Sequence, residues 1–340
     1  MRELCVAVVG ATGAVGREMI RVLDEGRIPV GKLVPVASER SAGRTVSFAG
    51  REVPVMRIDE GDFPRWTEGV DLALFSAGAE VSRRYGPLAA GAGAVVIDNS
   101  SAFRMEKGVP LVVPEVNANA ALDRPRGIIA NPNCSTIQLV VALKPLHDAA
   151  GLGRVVVSTY QAISGAGARA VAEMEDQARD WASGRPPIAR VLPYPILFNL
   201  LFHDVKEGSD TEEETKLVRE TRRILGLEDL KITATCVRVP VQVGHSEAVN
   251  VEFLRPISAA QARAALAAAP GIQVLDDPGE RRYPLPRDIA GTDAVYVGRV
   301  REDPSAPGAL NLWVVADNLR KGAALNAVQI ARFLLDQGSL

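Results

Sequence analysis

The sequence predicts an α/β fold: a parallel sheet covered by helices on both faces, followed by an α+β region with a mixed or antiparallel sheet. Three observations carry this reading. Residues 4–98 alternate short, continuously apolar runs with helix-spaced segments, the pattern of strands buried on both faces. A glycine-rich loop joins the first such run to the first helix. Beyond residue 150, strand-like runs rich in β-branched residues become more frequent than helices. The 340 residues exceed a typical single domain, so two domains are expected.

In chain order, residues 4–9 read as a buried strand. Gly10 to Gly16 form the loop, and residues 17–23 show helical spacing that stops at Gly26. A strand at 33–37, a polar turn Ser38-Glu39-Arg40-Ser41 and a hairpin-like segment at 46–55 follow. Strands at 71–76 and 94–98 flank a helix at 79–92. The turn Asn131-Pro132-Asn133 ends another strand, and Ile137, Leu139, Val140, Leu143 and Leu146 then recur at helical spacing, placing Cys134 at a helix N-terminus. A strand at 154–160, a helix at 167–182 and a proline-rich loop at 185–195 come next. Thr211 caps a further helix, and strands are expected within 231–254, at 294–300 and at 310–316. The last helix, 323–337, carries Leu325, Val328, Ile330, Phe333 and Leu334 and is expected to pack back on the first domain. The expected division is 1–133, completed by 319–340, against 134–318.

Composition narrows the function classes. A net charge of −2 and a pI near 6.1 give no electrostatic reason to expect nucleic acid or a membrane surface as partner. Cysteines 5, 134 and 236 are too few and scattered for a disulfide framework, and no His/Cys cluster suggests a metal. With no run of about 18 apolar residues, a cytoplasmic location is expected.

The loop Gly10-Ala11-Thr12-Gly13-Ala14-Val15-Gly16 stands where a pyrophosphate meets helix N–H groups without Cβ obstruction, so Gly10, Thr12, Gly13, Ala14 and Val15 are candidate contacts in a Rossmann-type dinucleotide site. At the end of the second strand, Arg40 with Ser38 and Ser41 offers a cation and hydroxyls to a 2′-phosphate, which favours NADP; Glu39 argues for NAD if it faces the ribose instead. Asp98 and Asn99 end a strand at the same edge of the sheet.

At a helix N-terminus, orphan N–H groups and the positive dipole end favour a thiolate, so Cys134 is the candidate nucleophile. For an isolated cysteine, inert burial is the commoner state, and only the accompanying residues reverse that. His245 is one of three histidines, with His147 and His203 read as structural or surface. Arg238 precedes it by seven residues, so an unbroken strand would point the two to opposite faces. Pro240 and Gly244 are the positions for a break that would reunite them. Glu213 and Lys216 share a helix face and would ordinarily be a solvated pair worth ~0.3 kcal/mol.

Taken in order, the Gly10–Gly16 loop, Ser38–Ser41, Asp98–Arg104, Val113–Asn117, Asn131–Thr136, Gln161–Gly167, Glu213–Lys216, Arg238–His245 and Asp317–Ala324 make the chain resemble the aspartate-semialdehyde dehydrogenase family along its whole length. The resemblance implies a homodimeric NADP enzyme that reductively dephosphorylates 4-aspartyl phosphate to aspartate 4-semialdehyde, with a second domain that is both catalytic and dimerising. It implies Cys134 as thioester-forming nucleophile, His245 as acid/base, Gln161 as the residue orienting substrate, Arg238 on the α-carboxylate and Glu213 on the ammonium. Arg104 and Lys216 would hold phosphate, and Asn133 would contact substrate. It adds Ser76, Gly78, Asn99, Ser164, Gly165 and Asn318 to the cofactor site. Two neighbouring reductases fit less well. N-acetyl-glutamyl-phosphate reductases carry glycine where Asn133 stands, and glyceraldehyde-3-phosphate dehydrogenases place their histidine much nearer the cysteine. Direct hydride transfer without a covalent intermediate, and a non-catalytic NADP sensor, remain open alternatives.

Overall fold

The computed structural model describes residues 2–41, 43–58, 63–205 and 207–340. The chain forms two compact units, Met1–Asn133 with Ala323–Leu340, and Cys134–Gly322. The first begins with β1 (Leu4–Val9), α1 (Ala14–Asp24), β2 (Val30–Ala37), the hairpin of β3 (Thr45–Phe48) and β4 (Arg51–Pro54), and β5 (Met56–Arg57). It continues through α2 (Phe63–Thr67), β6 (Leu72–Phe75), α3 (Ala79–Gly91), β7 (Val95–Asp98), α4 (Pro114–Asn117) and β8 (Ile128–Ala130). One sheet runs β5-β2-β1-β6-β7-β8 with every pairing parallel. Strand order reverses between β1 and β6, which opens a crevice at their C-terminal ends. Gly10 turns the chain out of β1 at φ +94°, and a Cβ there would come within 2.9 Å of Ser76. A Cβ on Gly16 would sit 2.1 Å from the Gly10 carbonyl oxygen, so only glycine lets α1 start this close to β1.

The second unit comprises α5 (Cys134–Ala150), β9 (Leu152–Gln161), α6 (Ala168–Ala182), β10 (Leu201–Phe202), α7 (Glu212–Leu225), β11 (Lys231–Arg238) and β12 (His245–Phe253). It ends with α8 (Ala259–Ala268), β13 (Ile272–Val274), α9 (Pro286–Ile289), β14 (Val295–Glu302) and β15 (Leu310–Ala316). Its sheet, β10-β11-β9-β12-β15-β14-β13, is mixed: β9–β11 and β13–β14 are parallel and the other pairings antiparallel. In β9, Val155, Val157, Thr159 and Gln161 are buried, whereas Val156, Ser158 and Tyr160 are only partly covered or exposed. Helices therefore cover one face. On the other, Tyr160 packs against Trp313 with ring centroids 5.6 Å apart, beside a groove of about 740 Å³.

A π-helical turn, Arg320–Ala324, leads into α10 (Leu325–Asp336). Leu325, Val328, Ile330 and Leu334 of α10 join Val6, Val8, Leu72, Leu74 and Ile97 in the first unit's core. The expected boundary at 318/319 is corrected to 322/323. Asp317 accepts the Gly291 N–H at 2.7 Å and Arg320 donates to Asp293 at 2.8 Å, which keeps 317–322 with the second unit.

Candidate active site

Cys134 is the first residue of α5, and Ser135 to Leu143 behind it are buried on every side. A helix covered all round is a core helix, so packing fixes its first turn and the cysteine on it. Cys134 Sγ lies 3.1 Å from His245 Nε2. His245 is fully buried, and its Nδ1 accepts the Ala162 main-chain N–H at 2.9 Å. A main-chain N–H only donates, so Nδ1 holds a lone pair and the neutral ring carries its proton on Nε2, facing the sulfur. Burial, and then the Arg238 charge, pull the His245 pKa down to about 3. A cationic ring would also set an Nδ1–H against the Ala162 N–H. At neutral pH the imidazole is an uncharged donor to Cys134.

The break that the sequence required is present. β11 stops at Arg238 and β12 starts at His245, with Gly244 at φ +99°. Ile163 and Ser164 N–H groups donate to the Val241 and Gln242 carbonyls at 2.8 and 3.1 Å, pinning the intervening loop to the end of β9. Asn318 Oδ1 accepts the Gly244 N–H at 2.9 Å, while its amide donates to Ser164 Oγ at 2.9 Å. Ser164 and Asn318, expected at the cofactor, thus brace the turn ahead of His245. Gly165 lies beside them. A Cβ on it would meet Arg238 Nη1 at 3.1 Å and His245 Cε1 at 3.2 Å, so both functional side chains close on one point despite their spacing in sequence. Arg238 also donates from Nη1 to the Ala162 carbonyl at 3.0 Å.

Gln161 ends β9 directly opposite Arg238 on β11. Its amide donates to Ser135 Oγ at 2.8 Å and Glu213 Oε1 at 3.2 Å. Glu213 is positioned by the start of α7. Thr211 Oγ1 accepts the Glu214 N–H at 3.2 Å, and the Glu214 carboxylate accepts the Thr211 and Cys236 N–H groups at 2.7 and 2.9 Å. Burial acts to raise the Glu214 pKa, but these hydrogen bonds prevail and hold it below the ordinary value. This capping box ties the helix to β11 and leaves the neighbouring Glu213 directed at Gln161. Lys216 pairs with Glu212 at 2.7 Å and stands 3.9 Å from Glu213. Glu213, Lys216, Arg238 and His203 line a cavity of about 220 Å³.

In the first unit, Arg104 donates from Nε to the Asn131 carbonyl at 3.0 Å and from Nη2 to the Asn99 carbonyl at 2.9 Å. Asn131 in turn donates to Asn99 Oδ1 at 2.6 Å and accepts from Asn326 at 2.7 Å. The segment carrying Asn133, which is buried, is fixed by these bonds. At the strand ends, Gly13 caps α1 and Gly78 caps α3, neither with a side-chain hydrogen bond, and α1 has no acidic residue in its first turn. Bare N–H groups, with glycines where a Cβ would intrude, fit the pyrophosphate of a dinucleotide. Thr12 and Ser41 hydroxyls lie 3.0 Å apart. Glu39 pairs with Arg57 at 3.2 Å, while Arg40 and Ser38 are exposed.

Two residues packed against this network escaped the sequence reading. His203 Nε2 is 2.8 Å from Gln161 Oε1. A Cβ on Gly322 would be 3.0 Å from Cys134 Cβ; the Gly322 N–H donates to the Asp317 carbonyl across the π turn, bringing its main chain against the cysteine. Gly322 belonged to a quoted motif, but nothing in composition marked His203. By contrast, the Cys236 thiol is buried and pushed up to about 12, which makes it inert.

Known proteins match this architecture throughout. Residues 5–123 match the semialdehyde dehydrogenase NAD-binding domain, and residues 143–321 the semialdehyde dehydrogenase dimerisation domain. An aspartate-semialdehyde dehydrogenase of Aquifex aeolicus is 52% identical over 98% of each chain. Aspartate semialdehyde dehydrogenase II of Vibrio cholerae, solved in complex with ASA, is 46% identical over 99% of each chain with a TM-score of 0.94. An aspartate semialdehyde dehydrogenase of Candida albicans, solved with NADP, is 28% identical over the full length of both chains with a TM-score of 0.77. The thiol–imidazole pair, the dinucleotide-binding unit and these full-length likenesses lead to one conclusion: the chain belongs to the aspartate-semialdehyde dehydrogenase family, nicotinamide-dependent oxidoreductases of amino-acid biosynthesis.

Proposed function

We propose that the chain reduces 4-aspartyl phosphate to aspartate 4-semialdehyde with NADPH, through a thioester on Cys134. The observation that carries this reading is the sulfur facing a neutral Nε2–H donor, with Arg238 and Glu213 in the same unit to grip an amino acid at both charges. Held as a thiolate by that donor and by the start of α5, Cys134 attacks the acyl carbon and expels phosphate, which takes its proton from solvent. Arg238 clamps the α-carboxylate as a bidentate fork, Glu213 meets the ammonium, and Lys216 and Arg104 hold the phosphate. The cofactor, when bound, supplies the hydride that brings the thioester carbon to the aldehyde level. Collapse of the tetrahedral alkoxide breaks the C–S bond and returns the thiolate to the His245 N–H. No step requires an imidazolium, which accords with the depressed pKa of His245.

The uncapped α1 start at Ala14 and Val15, with Gly13 folded back on the Gly10 carbonyl at 2.9 Å, Gly10, Ser76 and Gly78 at the switch point and Asn99 at the β7 edge, supports the dinucleotide site. Arg40, flanked by Ser38 and Ser41, supports NADP, because Arg57 already engages the competing Glu39 carboxylate. A homodimer would form on the open sheet face of the second unit, the unit that matches a dimerisation domain. A cytoplasmic setting keeps Cys134 reduced. Reductase activity on aspartyl phosphate, measured with NADPH and NADH in parallel, tests the assignment. Turnover is expected with NADPH and none with Cys134→Ala; a Cys134→Ala protein that still turns over refutes the thioester.

A further inference from the structure

We propose that His203 is a positioning residue that locks the Gln161 amide in the one orientation compatible with an ionised Glu213. This inference rests on the function proposed above and adds a residue to it.

A Gln amide has two faces, and its partners decide which way it turns. Gln161 touches Ser135 Oγ, Glu213 Oε1 and His203 Nε2 at 2.8, 3.2 and 2.8 Å. Ser135 does not discriminate, because a hydroxyl both donates and accepts. Glu213 does: its carboxylate only accepts, so the Gln161 NH₂ must point toward it, and the reverse orientation would set two oxygens against each other. The Gln161 carbonyl oxygen is thereby turned to His203, whose Nε2 must donate. Neutral imidazole can do so with its proton on Nε2. Burial lowers the His203 pKa, with Arg238 and Lys216 acting the same way and Glu213 and Glu214 opposing them, so the ring is neutral at pH 7.

The main chain delivers His203 to this place. β10 pairs with β11 so that Leu201 stands opposite Arg238, and Arg238 stands opposite Gln161 on β9. Because β10 runs antiparallel to β11, the chain beyond Leu201 passes back along β11 from Arg238, and from that outer side the His203 ring reaches the Gln161 amide oxygen at 2.8 Å. Without a donor at 203, the Gln161 oxygen loses its partner and the amide is free to rotate out of the geometry the substrate needs. Tight positioning of this kind commonly governs an order of magnitude or more in rate.

The test uses the full-length protein in the phosphate-dependent oxidation of aspartate semialdehyde with NADP. It compares the parent with His203→Gln, which keeps an N–H donor, and His203→Met, which fills similar volume without one. Alkylation of Cys134 by iodoacetamide, which does not use Gln161, is measured alongside. The expected result is a roughly tenfold fall in kcat for His203→Met, recovery of most of it in His203→Gln, and alkylation rates within about twofold of the parent in both. Parent-like kcat in His203→Met, equal losses in the two variants, or alkylation falling in step with turnover would each overturn the proposal. A parent without turnover would instead remove the functional reading itself.

Discussion

The glycine loop of the first unit and the thiol centre of the second solve recognition in opposite ways. Around Gly10–Gly16 the working groups are main-chain N–H donors at uncapped helix starts, with side chains kept small or turned outward. Around Cys134 they are side chains, most of them buried, each held by a partner from another element: His245 by Ala162, Gln161 by Ser135 and Glu213, and the turn before His245 by Asn318. A main-chain site of the first kind depends on backbone course and tolerates change in its exposed side chains. A side-chain network of the second kind fails when one member shifts, because buried polar groups have no solvent to fall back on.

Four changes would break or sharpen that contrast. Arg238→Lys removes the fork while keeping the charge, and kcat/KM should fall about 100-fold, the loss of one strong charge-assisted contact. Unchanged kinetics would take Arg238 out of the substrate site. Gly322→Ala would press a methyl on Cys134 Cβ, so kcat should drop roughly tenfold while NADP affinity stays at the parent value. A parallel loss of NADP affinity would blur the distinction between the two regions. Arg40→Ala should weaken NADP binding about tenfold and leave NAD binding alone, as calorimetric titration with each nucleotide would read. Equal losses would mean that the ribose end was misassigned.

The smallest effect concerns Glu247, fully buried on β12 two residues beyond His245, beside Gln138 but without a well-formed hydrogen bond to either oxygen. Burial raises its pKa well above 4.5. A raised carboxyl pKa means that the unfolded chain releases this proton first, so stability is whole below about pH 4.5 and is lost as pH rises. Glu247→Gln cannot ionise and should melt roughly 2 °C above the parent at pH 8, with the gap closing toward pH 5. A gap that does not change with pH would show that the carboxyl is not held neutral.

Much of this was legible in one dimension. Cys134 stood out because a Pro-Asn turn ends one strand just where helical spacing begins, and the capped start of α7 was visible in Thr211 and the acidic run after it. The break near Gly244 was demanded by parity, since Arg238 and His245 cannot share a strand face otherwise. What stayed hidden depends on strand order. His203 meets Gln161 only because β10 lies outside β11, and no local pattern encodes which strands become neighbours. The use of Asn318 and Ser164 as braces, and the Ala162 N–H on the histidine ring, likewise follow from the register of the loop after β11.

That last contact has a consequence for how the centre can change. Because the group that dictates where the His245 proton resides belongs to the peptide chain at position 162, ordinary drift in amino-acid identity cannot alter it. Proline alone, which has no N–H, would delete the donor and let the ring choose either nitrogen. The chemistry of the imidazole is thus inherited with the path of the polypeptide, and a replacement at position 162 other than proline leaves that proton where it is as long as Asn318 and Ser164 hold the path.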